Sequence, residues 1–382
     1  MKTGVRDWLG RLALISISGA LSLAFAEAAV RWLQPQPVEK ITFGLYEADP
    51  PRRYRLTPHY EGVVSNGVEF TTRVTVNALG LRGPMPKSDD RPRLLVIGDS
   101  FTFGWGVEHD QAYVHLAAEE LGFQGLNGGT PGFGLPDAAD WLEAYGWSLD
   151  PDFVVLAVFV GNDLLDATEE HRSISVVGGL VSADRRPSAL RRALDRAHVI
   201  RLVKQALPWS LQSRMRSFLR LPESWRVRYL REAVSSYALE PSELVLEGRD
   251  ASEVAFREVA RRCREKGVPL SVVLIPDALQ LSDQRWLATL GSLGLNAAGL
   301  DPEEPNRFFT EMALAEDIPV LDLLPKFKAA GADGHYFTYD PHWTPAGHRL
   351  AADLLAHHVS TTLRSKQRDD PLRTPAATPP AP

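Results

Sequence analysis

From Arg93 onward, short apolar runs alternate with stretches of helical pattern, and this alternation constrains the fold more than any other feature of the chain. The runs are Leu94–Ile97, Gly125–Asn127, Phe153–Val160, Leu270–Ile275 and Ile318–Leu323. A strand covered on both faces shows no polar alternation, so near-continuous Val/Ile/Leu runs indicate a parallel sheet between helical layers. Helices are predicted over Gln111–Leu121, Asp137–Trp147 and Pro345 to about His358. The expected fold is therefore α/β, a doubly wound, flavodoxin-like parallel sheet of about five strands.

Two regions depart from this pattern. Residues 35–92 are rich in β-formers, prolines and turn signals, as in Val68–Val76 followed by Asn77–Gly80, and predict a small β-rich lead-in with one hairpin. Residues 163–252 show no clear strand and predict a helical insertion over the carboxyl ends of the strands. Within it Leu190, Leu194, Ala197, Ile200 and Val203 recur at helical spacing among Arg185, Arg186, Arg191, Arg192, Arg196 and Arg201. Such a run reads first as a solvated helical face, and second as a contact for an anionic substrate or lipid headgroups. The main domain is thus 93–362, and the tail 363–382, charged and then Pro/Ala/Thr-rich, is expected to be disordered.

The N-terminus bears on compartment. Lys2, Arg6 and Arg11 precede an uncharged run from Leu12 to Ala26 that closes on Ala24-Phe25-Ala26, a small-residue cleavage pattern. The run is shorter than the roughly 20 residues of a bilayer span, which favours a cleavable signal peptide. Glu27 and Arg31, four residues apart, also allow one helix to continue to Leu33, so residues 1–34 are a signal peptide or a signal anchor. Either places the rest of the chain outside the cytoplasm, in the periplasm or cell envelope. A net charge of −6 gives no reason to expect nucleic acid as a partner, since its binders usually carry a concentrated basic face. The single cysteine, Cys263, leaves no intramolecular disulfide and no cysteine metal cage.

The candidate chemistry begins at Leu94-Leu-Val-Ile-Gly-Asp-Ser100, where an apolar strand delivers a serine to its carboxyl end. Alone, Gly-Asp-Ser is a weak motif, since a serine there also serves as a cap or turn residue. A serine nucleophile needs a general base and the base an orienting carboxylate. Tyr339-Asp340-Pro-His342-Trp-Thr-Pro-Ala-Gly-His348 offers both, just before the last helix, with Thr344 as N-cap and Pro345 in the first turn. Oxyanion donors have two candidate sources, Asn127-Gly-Gly-Thr-Pro-Gly132-Phe-Gly134 and Gly161-Asn162-Asp163, both after predicted strands.

These four segments together resemble the four sequence blocks of the SGNH (GDSL-like) hydrolase superfamily, over about Arg93 to His358. The resemblance implies Ser100 as nucleophile, His342 as base and Asp340 as its orienting group. It also implies an oxyanion hole from the Ser100 and Gly132 backbone N–H groups and the Asn162 side chain. Asn77-Ala-Leu-Gly-Leu-Arg-Gly83 is similar to the lead-in of membrane-anchored, envelope-side members, which favours a retained anchor. The common pattern has the aspartate three residues before the histidine, whereas Asp340 stands two before His342. The Asp-x-His-Trp form is similar to that of the alginate-acetylating branch, and it leaves the orienting group less secure than the nucleophile. His348 competes as a base unless it packs on the final helix.

Other chemistries fit poorly. A G-x-S-x-G elbow is excluded because position 102 is Thr, and neither glycine cluster has dinucleotide-binding spacing. A metal site from His335, Asp340, His342 and His348 has no accompanying H-E-x-x-H and would leave Ser100 and Asn162 unexplained. No cofactor or metal is expected. The expected activity is that of a serine esterase, acylhydrolase or O-acyltransferase acting on short acyl esters of envelope or extracellular carbohydrate. Lipid or small-ester hydrolysis on the same residues, and a catalytically silent carbohydrate-binding protein, are the alternatives.

Overall fold

The computed structural model describes residues 2–36, 40–173, 175–177, 179–182, 197–206 and 225–369. The arginines at 185, 186, 191, 192 and 196, together with Leu190, Leu194, Pro37 and the tail from 370, lie outside the described residues. The chain divides into two units, of which the first comprises 1–40, 65–71 and 184–223 and the second the remainder.

In the first unit a single helix, α1, runs from Lys2 to Leu33. Its segment Gly10–Leu33, 24 residues long, is long and apolar enough to cross a membrane. At 1.5 Å per residue that is about 36 Å, against roughly 30 Å of hydrocarbon. The helix passes through Ala26 unbroken, with Arg31 paired to Glu27 at 2.7 Å as the four-residue spacing predicts. The other Glu27 contacts are backbone: its carboxylate accepts the N–H groups of His198 and Val199, each at 2.9 Å, and so caps a second helix, His198–Ala206.

The second unit holds the parallel sheet. Its strands are β1 (Arg93–Ile97), β2 (Gln124–Asn127), β3 (Phe153–Phe159), β4 (Leu270–Ile275) and β5 (Val320–Asp322). The order is β2-β1-β3-β4-β5, all neighbours parallel, which is the flavodoxin-like order expected from the sequence. Register is set by Leu94 opposite Phe153, Val96 opposite Asn127 and Val154 opposite Leu270. Every residue of β3 is buried, as its unbroken apolar run requires. Burying each such side chain contributes roughly 1.5–3 kcal/mol.

Period-two alternation divides the sheet between two layers. Leu94, Val96, Val155 and Val273 join Val114 and Ala117 of α2 (Tyr113–Leu121) and Leu355 and Val359 of the C-terminal helix. On the opposite face Leu95 meets Gly146, just past α3 (Leu135–Ala144), which packs against α4 (Glu243–Lys266). Ser242 caps α4 by accepting the Val245 N–H, and Gly267 ends it at φ 68°. The C-terminal helix, α5, spans Pro345–Asp369, and Thr344 accepts the Gly347 N–H as its predicted cap.

Four expectations are corrected. The lead-in carries several short strands, including Tyr46–Ala48 paired antiparallel with Tyr54–Leu56, where one hairpin was expected. The region expected to lack strands contains a hairpin, Ser175–Val177 with Leu180–Ser182, whose sequence signal is the Gly178-Gly179 dipeptide. Nor does the insertion end at residue 252, because α4 crosses that position without interruption. At the C-terminus α5 continues through Ser365 to Asp369, so the ordered chain outlasts the expected boundary at 362.

Candidate active site

β1 lies between β2 and β3, so the loops leaving those strands flank the Gly98–Ser100 turn on either side. A Cβ on Gly98 would lie 2.5 Å from Thr102 Oγ1 and 2.7 Å from the Ala157 carbonyl oxygen, so only glycine fits this exit. Ser100 opens a one-turn helix, Ser100–Phe103, capped by Asp99, whose carboxylate accepts the Phe101 N–H at 2.9 Å. Gly104 closes the turn at φ 79°. Just beyond, the buried Arg82 donates to the carbonyls of Phe103 (2.6 Å), Gly104 (2.5 Å) and Val107 (2.7 Å). A cation at the carboxyl end of the turn complements its unpaired carbonyls. Burial pulls the guanidinium pKa down to about 10, against the pull of Glu108. The Asn77–Gly83 segment therefore holds the serine turn from behind, a role its sequence did not disclose.

His342 Nε2 lies 2.7 Å from Ser100 Oγ, and His342 Nδ1 lies 2.5 Å from Asp340 Oδ1. The same Asp340 oxygen accepts the His342 backbone N–H at 3.1 Å. This double acceptance is how a two-residue spacing suffices, since the carboxylate folds back over its own loop and reaches the ring. With Nδ1–H given to Asp340, Nε2 is left to accept the serine proton. The imidazole packs against Phe101 (centroids 4.9 Å) and Trp105 (6.0 Å). Behind it Trp343, fully buried, lies 5.0 Å from both Phe101 and Phe327. Ser100 Oγ also lies 3.3 Å from Asp99 Oδ2, a weaker contact. Burial raises the Asp99 carboxyl pKa, with His342 opposing the shift.

Gly132 sits in a turn after β2 with φ 80° and no hydrogen-bond partner for its N–H among the described residues. The turn is tied to the Gly98–Ser100 turn after β1 by Thr130 N–H to the Gly98 carbonyl, 2.9 Å. Asn162 follows β3 and caps the short helix Asp163–Asp166, and its amide nitrogen donates to Tyr229 Oη at 2.9 Å. Tyr229 belongs to the helix Trp225–Ser235 of the insertion, and no sequence pattern singled it out. One amide hydrogen of Asn162 is thus engaged, and the other has no partner among the described residues. The neighbouring Asp163 and Asp166 are buried, which holds both carboxyls up, Asp166 to about 8.

The remaining histidines separate from the site. His348 is fully buried, stacks on Tyr113 and accepts its N–H at Nδ1 (3.3 Å), and burial drives its pKa down to about 3. It packs between α2 and α5 and makes no contact with Ser100. His335 turns its Nδ1 to the Gly331 carbonyl at 2.9 Å. Among the described residues no group of three His, Cys, Asp or Glu side chains is disposed to hold a metal.

Residues 240–379 match the family model of the SGNH hydrolase-like domain, acetyltransferase AlgX. The sheet order and the Gly-Asp-Ser turn described above agree with an SGNH hydrolase-like domain, a type of enzyme that acts on ester bonds. The matched segment carries Asp340 and His342. Solved structures similar to the chain include the lipase/acylhydrolase from Enterococcus faecalis, 15% identical over 72% of this chain and 96% of that one (TM-score 0.36). They also include the acetyl xylan esterase AlAXEase, 15% identical over 70% and 99% (TM-score 0.38). The esterase EstA from Pseudoalteromonas sp. is 10% identical over 71% and 98% (TM-score 0.38). No curated protein matches the chain.

Proposed function

We propose that the chain is a serine esterase or O-acyltransferase that passes through an acyl-Ser100 intermediate, with short acyl groups on envelope or extracellular carbohydrate as its substrates. The unbroken relay from Ser100 Oγ through His342 to Asp340 carries this reading. His342 Nε2 takes the serine proton as Oγ attacks the ester carbonyl carbon, and Asp340 stabilises the imidazolium formed. The oxyanion is received by the Gly132 N–H, the Asn162 amide and the Ser100 N–H. Collapse returns the proton from His342 to the departing alkoxide and leaves the acyl group on Ser100. Water or a sugar hydroxyl then resolves the intermediate by the same steps in reverse.

The acetyl preference is supported by the description of the matched family and by the acetylated-carbohydrate esterases among the similar folds. The N-terminal helix supports a position at the outer face of a membrane. The full chain in detergent should label with a fluorophosphonate probe and hydrolyse an aryl acetate, and Ser100→Ala should abolish both. A folded wild type that neither labels nor turns over any short-chain ester would overturn the reading.

A further inference from the structure

Gly132 occupies the third position of a turn whose first and last residues, Thr130 and Phe133, are joined by Phe133 N–H to the Thr130 carbonyl at 3.1 Å. Proline at the second position and glycine at φ 80° in the third define a type II turn. The competing type I form differs by a flip of the central peptide, Pro131–Gly132. In a trans peptide the C=O and the following N–H point in opposite directions. The flip would therefore exchange the Pro131 carbonyl for the Gly132 N–H at the mouth of the crevice, replacing an oxyanion donor with an acceptor.

Two adjacent residues of the lead-in reach this turn from its far side. Tyr54, 1% exposed, donates its hydroxyl to the Pro131 carbonyl at 2.8 Å. Arg53 donates to the Gly132 carbonyl at 3.1 Å while pairing with Asp137 at 2.6 Å and with the His171 carbonyl at 3.0 Å. The peptides on both sides of Gly132 are thus held by side chains from outside the four sequence blocks. A Cβ on Gly132 would meet Tyr54 Oη at 2.7 Å, so hydroxyl and glycine fit each other closely.

We propose that Tyr54 is a positioning residue, which by binding the Pro131 carbonyl selects the type II turn and aims the Gly132 N–H into the crevice as an oxyanion donor. Arg53 fixes the following peptide and anchors the pair to α3 through Asp137. The inference rests on the oxyanion role given above to Gly132. Polarisation acts in the same direction, because a hydrogen bond at the carbonyl end strengthens the N–H of the same peptide as a donor.

Tyr54→Phe in the full chain tests it, since the ring and its packing on Phe133 remain and only the hydroxyl is lost. Removing an oxyanion donor outright costs about 10²–10³ in kcat, so a donor left free to turn away should cost about 10- to 100-fold. We expect that loss in kcat for an aryl acetate, with KM within about twofold and Tm within a few degrees of the wild type. The Gly132 amide ¹⁵N resonance should also shift, since its peptide carbonyl loses its partner. Unchanged kcat, or a loss that follows KM and Tm, would overturn the inference while leaving Ser100 chemistry intact. If the wild type lacks esterase activity, the proposed function fails, and a Gly132 resonance unmoved by Tyr54→Phe would overturn the positioning role as well.

Discussion

Acidification should expose His348 through stability. In the fold its Nδ1 accepts the Tyr113 N–H and its Nε2 is buried without a partner among the described residues, so the ring is held neutral at a pKa of about 3. In the unfolded chain it returns to about 6.5. Below pH 6.5 the unfolded state therefore binds a proton that the folded state refuses, and this group's contribution to stability falls as pH drops toward 3. Between pH 7 and 5 the difference amounts to about 2 kcal/mol from this single side chain. Buried Asp166, held up to about 8, works in the opposite direction: its folded state gains the proton first, so acid relieves it. The net slope is thus a composite, and a variant is needed to isolate the histidine. His348→Asn keeps an acceptor for Tyr113 and cannot titrate. Urea unfolding of the full chain at pH 7 and 5 should show the variant losing about 2 kcal/mol less than the wild type over that interval. Equal losses in the two proteins would refute the reasoning. The same variant should retain its esterase rate at pH 7, since His348 has no contact with Ser100.

Two further outcomes are expected. Asp340→Asn should leave the loop in place through the His342 N–H but favour the wrong imidazole tautomer, lowering kcat by roughly 10³–10⁴ with little change in KM, measured on an aryl acetate. Arg82→Lys keeps the charge but cannot span the three carbonyls; leaving one or two of them unpaired should cost about 1–3 kcal/mol, read as a lowered Tm.

The central sheet was legible because burial on both faces leaves a direct mark: each apolar run became a strand, and their order followed from parallel winding. β5 was the least faithful, read over six residues and observed over three, because an edge strand of half-buried Val320, Leu321 and Asp322 leaves a weaker trace. Ser100 and His342 stand in readable local motifs, and the fold brings their side chains to 2.7 Å. Asp340 was the doubtful member, yet one oxygen serving both backbone and ring removes the need for a third residue of spacing. Arg53, Tyr54, Arg82 and Tyr229 were not legible. Arg53, Tyr54 and Tyr229 are polar residues in otherwise plain stretches, Arg82 stood in a recognised segment with no role attached, and each acquires its meaning from a partner elsewhere in the chain. The Gly178-Gly179 hairpin is different, since its signal lay in the sequence but was outweighed by the helical spacing that follows.

Ser100 and His342 are separated by 242 positions, and α5 closes over α2 only after the loop that carries the histidine. A chain made from its N-terminus onward therefore carries Ser100 long before His342 exists. On the proposed mechanism, synthesis order makes docking of the last helix the event that arms Ser100, and a polypeptide truncated anywhere before Asp340 lacks the group proposed to take its proton.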